Sequence, residues 1–240
     1  MKAMILTAGI EERLQPQPSV SPKALIRINN EPLLGMLIRR LAESGFREII
    51  LNVHHFAGLI KDYLDEKNKF GIRIEVSDES DLQLDSGGGL KKVEWFFNDN
   101  QPFLVYNLEI LSDLDLSVLY ADHQNSGALA TLVVRRREST RFMLFNDNMQ
   151  LCGWENLETG ETRKVRSGRK LEKYAFSRIQ VLDPLIFSMM TERGAFSLAE
   201  LYLRLAGSNN IRGYPENESI WMDLGKREGL IEAEKLFLKN

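Results

Sequence analysis

Two cationic side chains near the start of the chain have a spacing that suits the recognition of a polyphosphate. Arg13 and Lys23 stand ten residues apart, on either side of Pro16 and Pro18. Because proline fixes the backbone angle φ, the loop between the two cations is stiff and can direct both of them at one anionic ligand. The same pattern is compatible with a surface loop that carries two solvated charges, and this stretch alone leaves both interpretations open.

Two carboxylates later in the chain follow apolar runs and are candidates for metal ligands. Glu109 comes just after an apolar strand that begins at Phe103, and glutamate is a poor helix N-cap, which favours a ligand role. Asp223 lies in the short apolar run 220–225 ahead of a helix, where a lone aspartate is more often a helix cap than a ligand. The residue types alone therefore favour Glu109 as a ligand and Asp223 as a helix cap.

Two short clusters provide further candidates. The glycines at 87–89 open a helical pattern, and they either bring backbone N–H groups close to a flat or anionic ligand or form a flexible turn. His54 and His55 follow a strand, but no Cys, Asp or third His lies nearby at ligand spacing. We therefore expect the two histidines to be structural.

The elements that would position these residues alternate between strands and helices. The pattern predicts strands over 3–6, 24–28, 48–53, 72–76, 103–105, 130–134 and 175–182, and helices over 32–44, 59–66, 84–97, 116–123 and 197–206, with further helices from 184 and from 226. Such alternation predicts an α/β fold with a mainly parallel sheet flanked by helices, in which ligands bind at the carboxyl edge of the strands. The runs 142–145 and 151–154 flank a turn cluster, which predicts a late antiparallel excursion, followed by an exposed flap over 155–172.

Composition excludes several classes of protein. The 240 residues suffice for one large domain, so we expect a single domain over 1–240. The net charge of −3, without a long basic block, disfavours a nucleic-acid-binding protein. No apolar run is long enough for a membrane span, and one cysteine excludes an internal disulfide. No secretory leader is recognisable, so we expect a cytoplasmic protein whose oligomeric state is undetermined.

Five short motifs occur in a defined order between residues 7 and 225. They are Thr7-Ala8-Gly9-Ile10-Glu11-Glu12-Arg13-Leu14, Pro22-Lys23-Ala24-Leu25, Ser86-Gly87-Gly88-Gly89, Asn107-Leu108-Glu109 and Trp221-Met222-Asp223-Leu224-Gly225. Their order resembles that of the sugar-1-phosphate nucleotidylyltransferases, which join a nucleoside triphosphate to a sugar 1-phosphate and release pyrophosphate. The family's fold, a mainly parallel nucleotide-binding sheet with a late antiparallel excursion, agrees with the predicted pattern.

The resemblance implies a role for each matched residue. Arg13 would hold the β- and γ-phosphates, and Lys23 would hold the α-phosphate and the incoming sugar phosphate. Glu109 and Asp223 would jointly hold Mg²⁺. The residues that would contact the nucleotide are Ala8, Gly9, Gly87 and Gly88. The attacking phosphate oxygen is already ionised, so the reaction needs orientation and charge stabilisation rather than a general base.

Several positions differ from the usual pattern of the family. Glu11 stands where many members have glycine, Glu109 where many have aspartate, and Asn156 near a lysine that grips the sugar phosphate. Arg178 stands at a position where glycine usually precedes the next strand. One hypothesis is that Arg178 or Lys173 supplies the missing phosphate-binding cation.

Two functions from different classes therefore compete. An active sugar-1-phosphate nucleotidylyltransferase is supported by the presence of Arg13, Lys23 and Asp223. A catalytically impaired relative that binds a nucleotide or sugar nucleotide and regulates a partner is supported by the departures. An NAD-dependent enzyme is disfavoured because the first loop lacks Gly-x-Gly-x-x-Gly, with Glu11 at the second glycine position. The resemblance to short uridylyl and guanylyl enzymes leaves the base and the sugar open.

Overall fold

A computed structural model describes residues 1–7, 22–82, 84–168, 170–225 and 227–237. The strands are β1 (Lys2–Leu6), β2 (Arg27–Ile28), β3 (Glu31–Pro32), β4 (Glu48–Val53), β5 (Arg73–Asp78), β6 (Phe103–Asn107), β7 (Ile110–Ser112), β8 (Ala130–Arg135), β9 (Arg141–Phe145), β10 (Leu151–Asn156), β11 (Thr162–Lys164), β12 (Glu172–Leu182), β13 (Ile211–Pro215) and β14 (Trp221–Asp223). The α-helices are α1 (Leu33–Glu43), α2 (Ala57–Glu66), α3 (Asp85–Lys92), α4 (Leu116–Ser126), α5 (Leu185–Ser188), α6 (Leu198–Ala206) and α7 (Arg227–Phe237). Short 3₁₀ helices cover Lys23–Leu25, Asn68–Gly71 and Glu94–Phe97.

Ten of the strands form one mixed sheet. β5, β4, β1 and β6 lie side by side and are parallel. β12 is antiparallel to β6 and to β8, and β13 pairs with β8 in parallel. The first part of β12 also pairs with β9, from which β10 and β11 continue as antiparallel strands. The predicted α/β class, with a mainly parallel sheet and a late antiparallel excursion, is confirmed.

Both faces of β1, β4 and β6 are covered, which explains why these strands are mostly apolar along their length. In β1, Ala3 and Ile5 belong to the hydrophobic cluster that includes the apolar face of α1, whereas Met4 and Leu6 belong to the cluster on the other face, which includes residues of α6. Alternate side chains of a strand point to opposite faces, so a strand covered on both sides needs apolar residues at every position. No helix in the described parts of the chain combines the length and apolarity needed to cross a bilayer.

The segment predicted as a strand over 24–28 was predicted wrongly. A 3₁₀ turn covers Lys23–Leu25, in which the N–H of Leu25 donates to the carbonyl of Pro22 at 2.9 Å. Only the two residues of β2 then pair with β3. The connecting Asn29 and Asn30 have φ values of 49° and 65°, a left-handed conformation that asparagine tolerates and that a tight hairpin requires. The apolar run 24–28 is therefore divided between a turn and a short strand.

His123 of α4 provides a test of the packing between this helix and the sheet. Its Nδ1 lies 2.9 Å from Thr131 Oγ1, and the residue is only 3% exposed. Burial lowers the pKa of His123 to about 4. Because the ordinary pKa is about 6.5, the unfolded chain binds more protons between pH 6.5 and pH 4, and the folded state loses stability as the pH falls through this window.

We expect His123 alone to lower the free energy of unfolding by about 2 kcal/mol between pH 7 and pH 5. Urea unfolding of the wild type and of His123→Asn at several pH values measures this contribution. Asparagine does not titrate, so the variant should lack this component of the pH dependence, whatever its absolute stability. Parallel pH profiles for the two proteins would show that His123 does not stay neutral in the folded state.

Candidate active site

Three parallel strands end at the same edge of the sheet. Leu6, the last residue of β1, is in register with Asn52 of β4 and Asn107 of β6. Just beyond the strand, the N–H of Thr7 donates to Asn52 Oδ1 at 3.0 Å, and the N–H of Leu108 donates to the carbonyl of Leu6 at 3.0 Å. The carboxyl end of β1 therefore lies beside the segment that begins at Leu108 and carries Glu109.

Part of the predicted phosphate-binding loop falls outside the described residues. The predicted residues concerned are Ala8, Gly9, Glu11 and Arg13, whose roles remain predictions. Lys23 is described, and it begins the 3₁₀ turn Lys23–Leu25. Only 8% of this residue is exposed, so its ammonium group has lost most of its hydration shell. Its contact with a phosphate group remains a prediction.

Glu109 and Asp223 come together although they are far apart in the sequence. Glu109 immediately precedes β7 and Asp223 ends β14, and these strands form a two-stranded antiparallel ribbon in which Asp223 is in register with Ile110. The N–H of Leu224 donates to the carbonyl of Glu109 at 2.7 Å, just beyond this pair, and holds the two chain segments together at that end of the ribbon. Asp223 Oδ1 accepts the N–H of Gly225 at 3.0 Å, so one carboxylate oxygen makes a local turn contact.

Arg178 of β12 places its guanidinium group between these two carboxylates. Its Nη1 lies 2.6 Å from Glu109 Oε1 and 3.8 Å from Asp223 Oδ2. The other oxygen of Glu109, Oε2, is buried and makes no hydrogen bond within the described part of the chain. The two acids therefore share one cation, and one oxygen of Glu109 is left without a hydrogen bond among the described residues.

The donor atoms of the carboxylate pair fit a hard divalent cation. Mg²⁺ prefers carboxylate oxygens and usually keeps several waters or substrate oxygens in its coordination shell, so one or two protein ligands suffice. Glu109 Oε2 and the carboxylate of Asp223 provide such ligands. Among the described residues there is no group of three or more His, Cys, Asp or Glu side chains that could hold a metal. The pair thus suits a cation that arrives with a phosphorylated substrate.

Arg137 adds a second guanidinium group to this site. Its Cζ lies 4.3 Å from the ring centroid of Trp221, which precedes Asp223 by two residues. Burial and the neighbouring Arg178 lower the pKa of Arg137, whereas Asp223 raises it. Arg137 Nε is buried and has no hydrogen-bond partner among the residues that the structure describes. The sequence offered only the run Arg135–Arg137, which indicates a solvated charge block as readily as a site.

Two of the positions noted from the sequence serve the antiparallel hairpin instead. Asn156 is buried, and its Oδ1 accepts the N–H of Glu158 at 3.0 Å, which stabilises the turn after β10. Lys173 pairs with Glu155, with Nζ 2.5 Å from Oε2. Of the two cations considered as replacements for the missing lysine, Arg178 is therefore the one in contact with Glu109.

Gly87 and Gly88 lie in the first turns of α3, where the protein's own loop covers them. The N–H of Gly87 donates to the carbonyl of Phe196 at 2.8 Å. A Cβ atom on Gly87 would lie 2.4 Å from the ring of Phe196, and one on Gly88 would lie 2.4 Å from the carbonyl oxygen of Gly194. Close packing by the loop accounts for glycine at both positions, and their contact with a nucleotide remains a prediction.

We therefore expect Gly87→Ala to lower the free energy of unfolding by about 1–3 kcal/mol, because the loop must shift to admit a methyl group. The matched control is Gly58→Ala in α2, where a Cβ atom would meet nothing within 4 Å. That substitution should be neutral or stabilising by up to about 1 kcal/mol. Thermal or urea unfolding measures both variants, and equal effects would contradict the packing described for Gly87.

A buried carboxylate that the sequence did not reveal links α3 to the sheet edge. Glu79 follows β5 and is 1% exposed, and Asn52 Nδ2 donates to its Oε2 at 3.1 Å. A Cβ atom on Gly89 would lie 3.0 Å from Glu79 Oε1. Burial raises the pKa of Glu79, while the hydrogen bond from Asn52 opposes the shift. Asn52 also accepts the N–H of Thr7, so Glu79 and Asn52 lie between α3 and the end of β1.

Comparisons with known proteins identify the family of the chain. The Nucleotidyl transferase family matches residues 2–150. The chain is 28% identical over 247 residues to UTP-glucose-1-phosphate uridylyltransferase of Synechocystis sp., which covers 94% of this chain and 60% of that protein. It is also 28% identical over 238 residues to N-acetylmuramate alpha-1-phosphate uridylyltransferase of Neisseria meningitidis serogroup B, over 98% of each chain. The chain thus spans less than two thirds of the first relative and nearly all of the second.

A solved structure shows the same fold. UDP-glucose pyrophosphorylase from Acinetobacter baumannii superimposes with a TM-score of 0.79 at 16% sequence identity, over 98% of this chain and 92% of that one. The family match extends over more than half of the chain and includes the first four of the five motifs found in the sequence. The protein therefore belongs to the nucleotidyl transferase family, and the resemblance identified from its motifs is confirmed.

Proposed function

We propose that this protein transfers a nucleoside monophosphate from a nucleoside triphosphate to a sugar 1-phosphate, which yields a nucleotide sugar and pyrophosphate. The observation that carries the proposal is the meeting of Glu109 and Asp223 at the carboxyl edge of the sheet, with Arg178 and Arg137 beside them. Both curated relatives described above are named as uridylyltransferases of a sugar 1-phosphate, which supports this reaction.

In the proposed reaction, an oxygen of the sugar phosphate attacks the α-phosphorus, and the bond to the leaving pyrophosphate breaks on the opposite side. The protein must hold two anions close together and in line. Lys23 would bind the α-phosphate, and Arg137 would bind the sugar phosphate. Arg13 and the loop that contains Ala8 and Gly9 would hold the remaining phosphates. Gly87 and Gly88 would lie beside the base.

Glu109 and Asp223 would hold a divalent cation, with Mg²⁺ the metal expected from the resemblance. When bound, this cation would neutralise phosphate charge and stabilise the charge that develops during transfer. Residues outside the carboxylate pair would bind and orient the two substrates. We infer a cytoplasmic location as part of the same proposal, because the proposed nucleoside triphosphate substrate is supplied there.

The test is pyrophosphate release, measured with ATP, CTP, GTP, UTP and dTTP against a panel of sugar 1-phosphates in the presence of Mg²⁺ or Mn²⁺. The panel includes glucose 1-phosphate and N-acetylmuramate 1-phosphate, which the names of the relatives suggest. We expect release that requires both substrates. Nucleotide binding without release from any pair would contradict the proposal. Activity gained only by Glu109→Asp would show that the scaffold is intact and that the natural chain is impaired.

The role of Arg137 in binding the sugar phosphate can be separated from that of Lys173. We expect Arg137→Gln to raise the KM for the sugar 1-phosphate about tenfold, because one charge-assisted contact to phosphate is lost. The matched control is Lys173→Gln, which removes a cation that pairs with Glu155. Steady-state kinetics with the sugar 1-phosphate varied gives both values. An increase for Lys173→Gln and none for Arg137→Gln would assign the phosphate contact to the hairpin instead.

A further inference from the structure

We propose that Arg178 and a divalent cation compete for Glu109 and Asp223, so that the carboxylate pair carries its own cation until metal displaces it. The proposal deepens the proposed function because it concerns the same carboxylates. It rests on the metal site proposed there and not on turnover or on the identity of the substrates.

Arg178 makes ion pairs with both Glu109 and Asp223. Arg178 Nη1 is 2.6 Å from Glu109 Oε1 and 3.8 Å from Asp223 Oδ2, so the same nitrogen lies between both acids. The side chain of Glu109 is only 10% exposed, and that of Arg178 is 34% exposed. A metal ion bound by the two carboxylates would face a like charge at short distance, and this repulsion is weakly screened in a partly buried site. Metal binding therefore requires the guanidinium group to withdraw.

The backbone of Arg178 adopts a strained, left-handed conformation. Its φ is +60°, a left-handed conformation that costs a residue with a Cβ atom about 1–2 kcal/mol and that glycine adopts freely. The pairing of β12 with β8 shifts register between Phe176 and Gln180, which brackets this position. A glycine would suit this backbone better, and the chain keeps an arginine there. Strain of this kind accumulates where a side chain serves a site, so it points to a function for the guanidinium group.

The side chain of Arg178 can move while the backbone before it stays in place. The carbonyl of Ser177 accepts Trp221 Nε1–H at 3.1 Å, and the carbonyl of Phe176 accepts Arg137 Nη2–H at 3.3 Å. These contacts hold the backbone just before Arg178 against the site. The long, partly exposed side chain of Arg178 is then the element that can leave the carboxylates. Competition with metal would change a rotamer rather than the fold of β12.

The test measures Mn²⁺ binding in the absence of nucleotide, from the electron paramagnetic resonance signal of free Mn²⁺. The variants are Arg178→Gly and Arg178→Asn, because both residues accept a positive φ and neither carries charge. We expect both variants to bind Mn²⁺ at least about tenfold more tightly than the wild type. The added affinity should disappear in Arg178→Gly/Glu109→Gln. The exposed Arg136→Gln, which removes a cation paired with Glu172, should match the wild type.

Equal Mn²⁺ affinity in the wild type and in both Arg178 variants would overturn the proposal, and so would the absence of binding in all three. A second readout is thermal unfolding: saturating Mn²⁺ should raise the Tm of Arg178→Gly more than that of the wild type. The two proposals fail separately. Tighter Mn²⁺ binding without any pyrophosphate release would refute the transferase activity alone, whereas turnover with unchanged Mn²⁺ affinity would refute the competition alone.

Discussion

Asp223→Asn is expected to lower kcat/KM for pyrophosphate release by about 10²–10³-fold. The substitution preserves the shape of the side chain and leaves an oxygen that can accept the N–H of Gly225, so the local turn should persist. What it removes is the negative charge near Arg178 and one of the two carboxylates proposed to hold the cation. The loss should therefore appear in turnover and metal dependence rather than in folding.

The measurement compares steady-state kinetics of Asp223→Asn with those of Asp62→Asn, which removes an exposed carboxylate from α2. Circular dichroism and thermal unfolding establish that both variants are folded. We expect Asp62→Asn to retain wild-type kinetics and Asp223→Asn to require more Mg²⁺ for its residual activity. Full activity in Asp223→Asn would mean that this aspartate has only a local structural role, and its sequence context alone favoured such a role, that of a helix cap.

Lys23→Met should lower kcat by about 10²-fold, because the proposed α-phosphate contact is lost at the reacting centre. Methionine is similar in length to lysine and apolar. Since the residue is only 8% exposed, the variant should keep its packing. Loss of a charged group that acts mainly in the transition state lowers kcat and kcat/KM together, whereas loss of simple substrate affinity would raise KM alone.

The control for this substitution is Lys61→Met, which removes a lysine that pairs with Asp78 on the surface, with Nζ 3.0 Å from Oδ2. We expect this control to retain activity within about twofold, because an exposed ion pair contributes little. Single-turnover kinetics at saturating nucleotide would separate the chemical step from binding in both variants. An unchanged chemical rate in Lys23→Met would remove Lys23 from the proposed machinery.

The helices whose apolar pattern agrees with their burial are the elements that the sequence predicts most accurately. The helix predicted over 32–44 corresponds to α1, whose apolar face lies in the core, and Gly45 beyond its end has a φ of +89°. The helix predicted over 197–206 corresponds to α6, and its N-cap Ser197 accepts the N–H of Glu200 at 3.2 Å. These features depend on residues three or four positions apart, so the sequence contains the whole interaction.

Two short strands, β7 and β14, were not predicted from the sequence. The strands β7 and β14 have three residues each, which is too short for a periodic pattern to emerge. They exist because they pair with each other, although more than a hundred residues separate them along the chain. The segment 24–28 shows the same limit. A turn over Lys23–Leu25 shortens the strand at its start, and a pair of left-handed asparagines ends it.

By itself, the sequence determined the alternation of strands and helices, the order of the five motifs and hence the family, because each of these depends on residues that are neighbours in the chain. Only the tertiary structure decided that Asp223 joins Glu109 and that Arg178 lies between them. Those contacts depend on the register of β12 and of the β7–β14 ribbon. Electrostatic attraction falls with distance, and such distances are established only when strands from different parts of the chain pair.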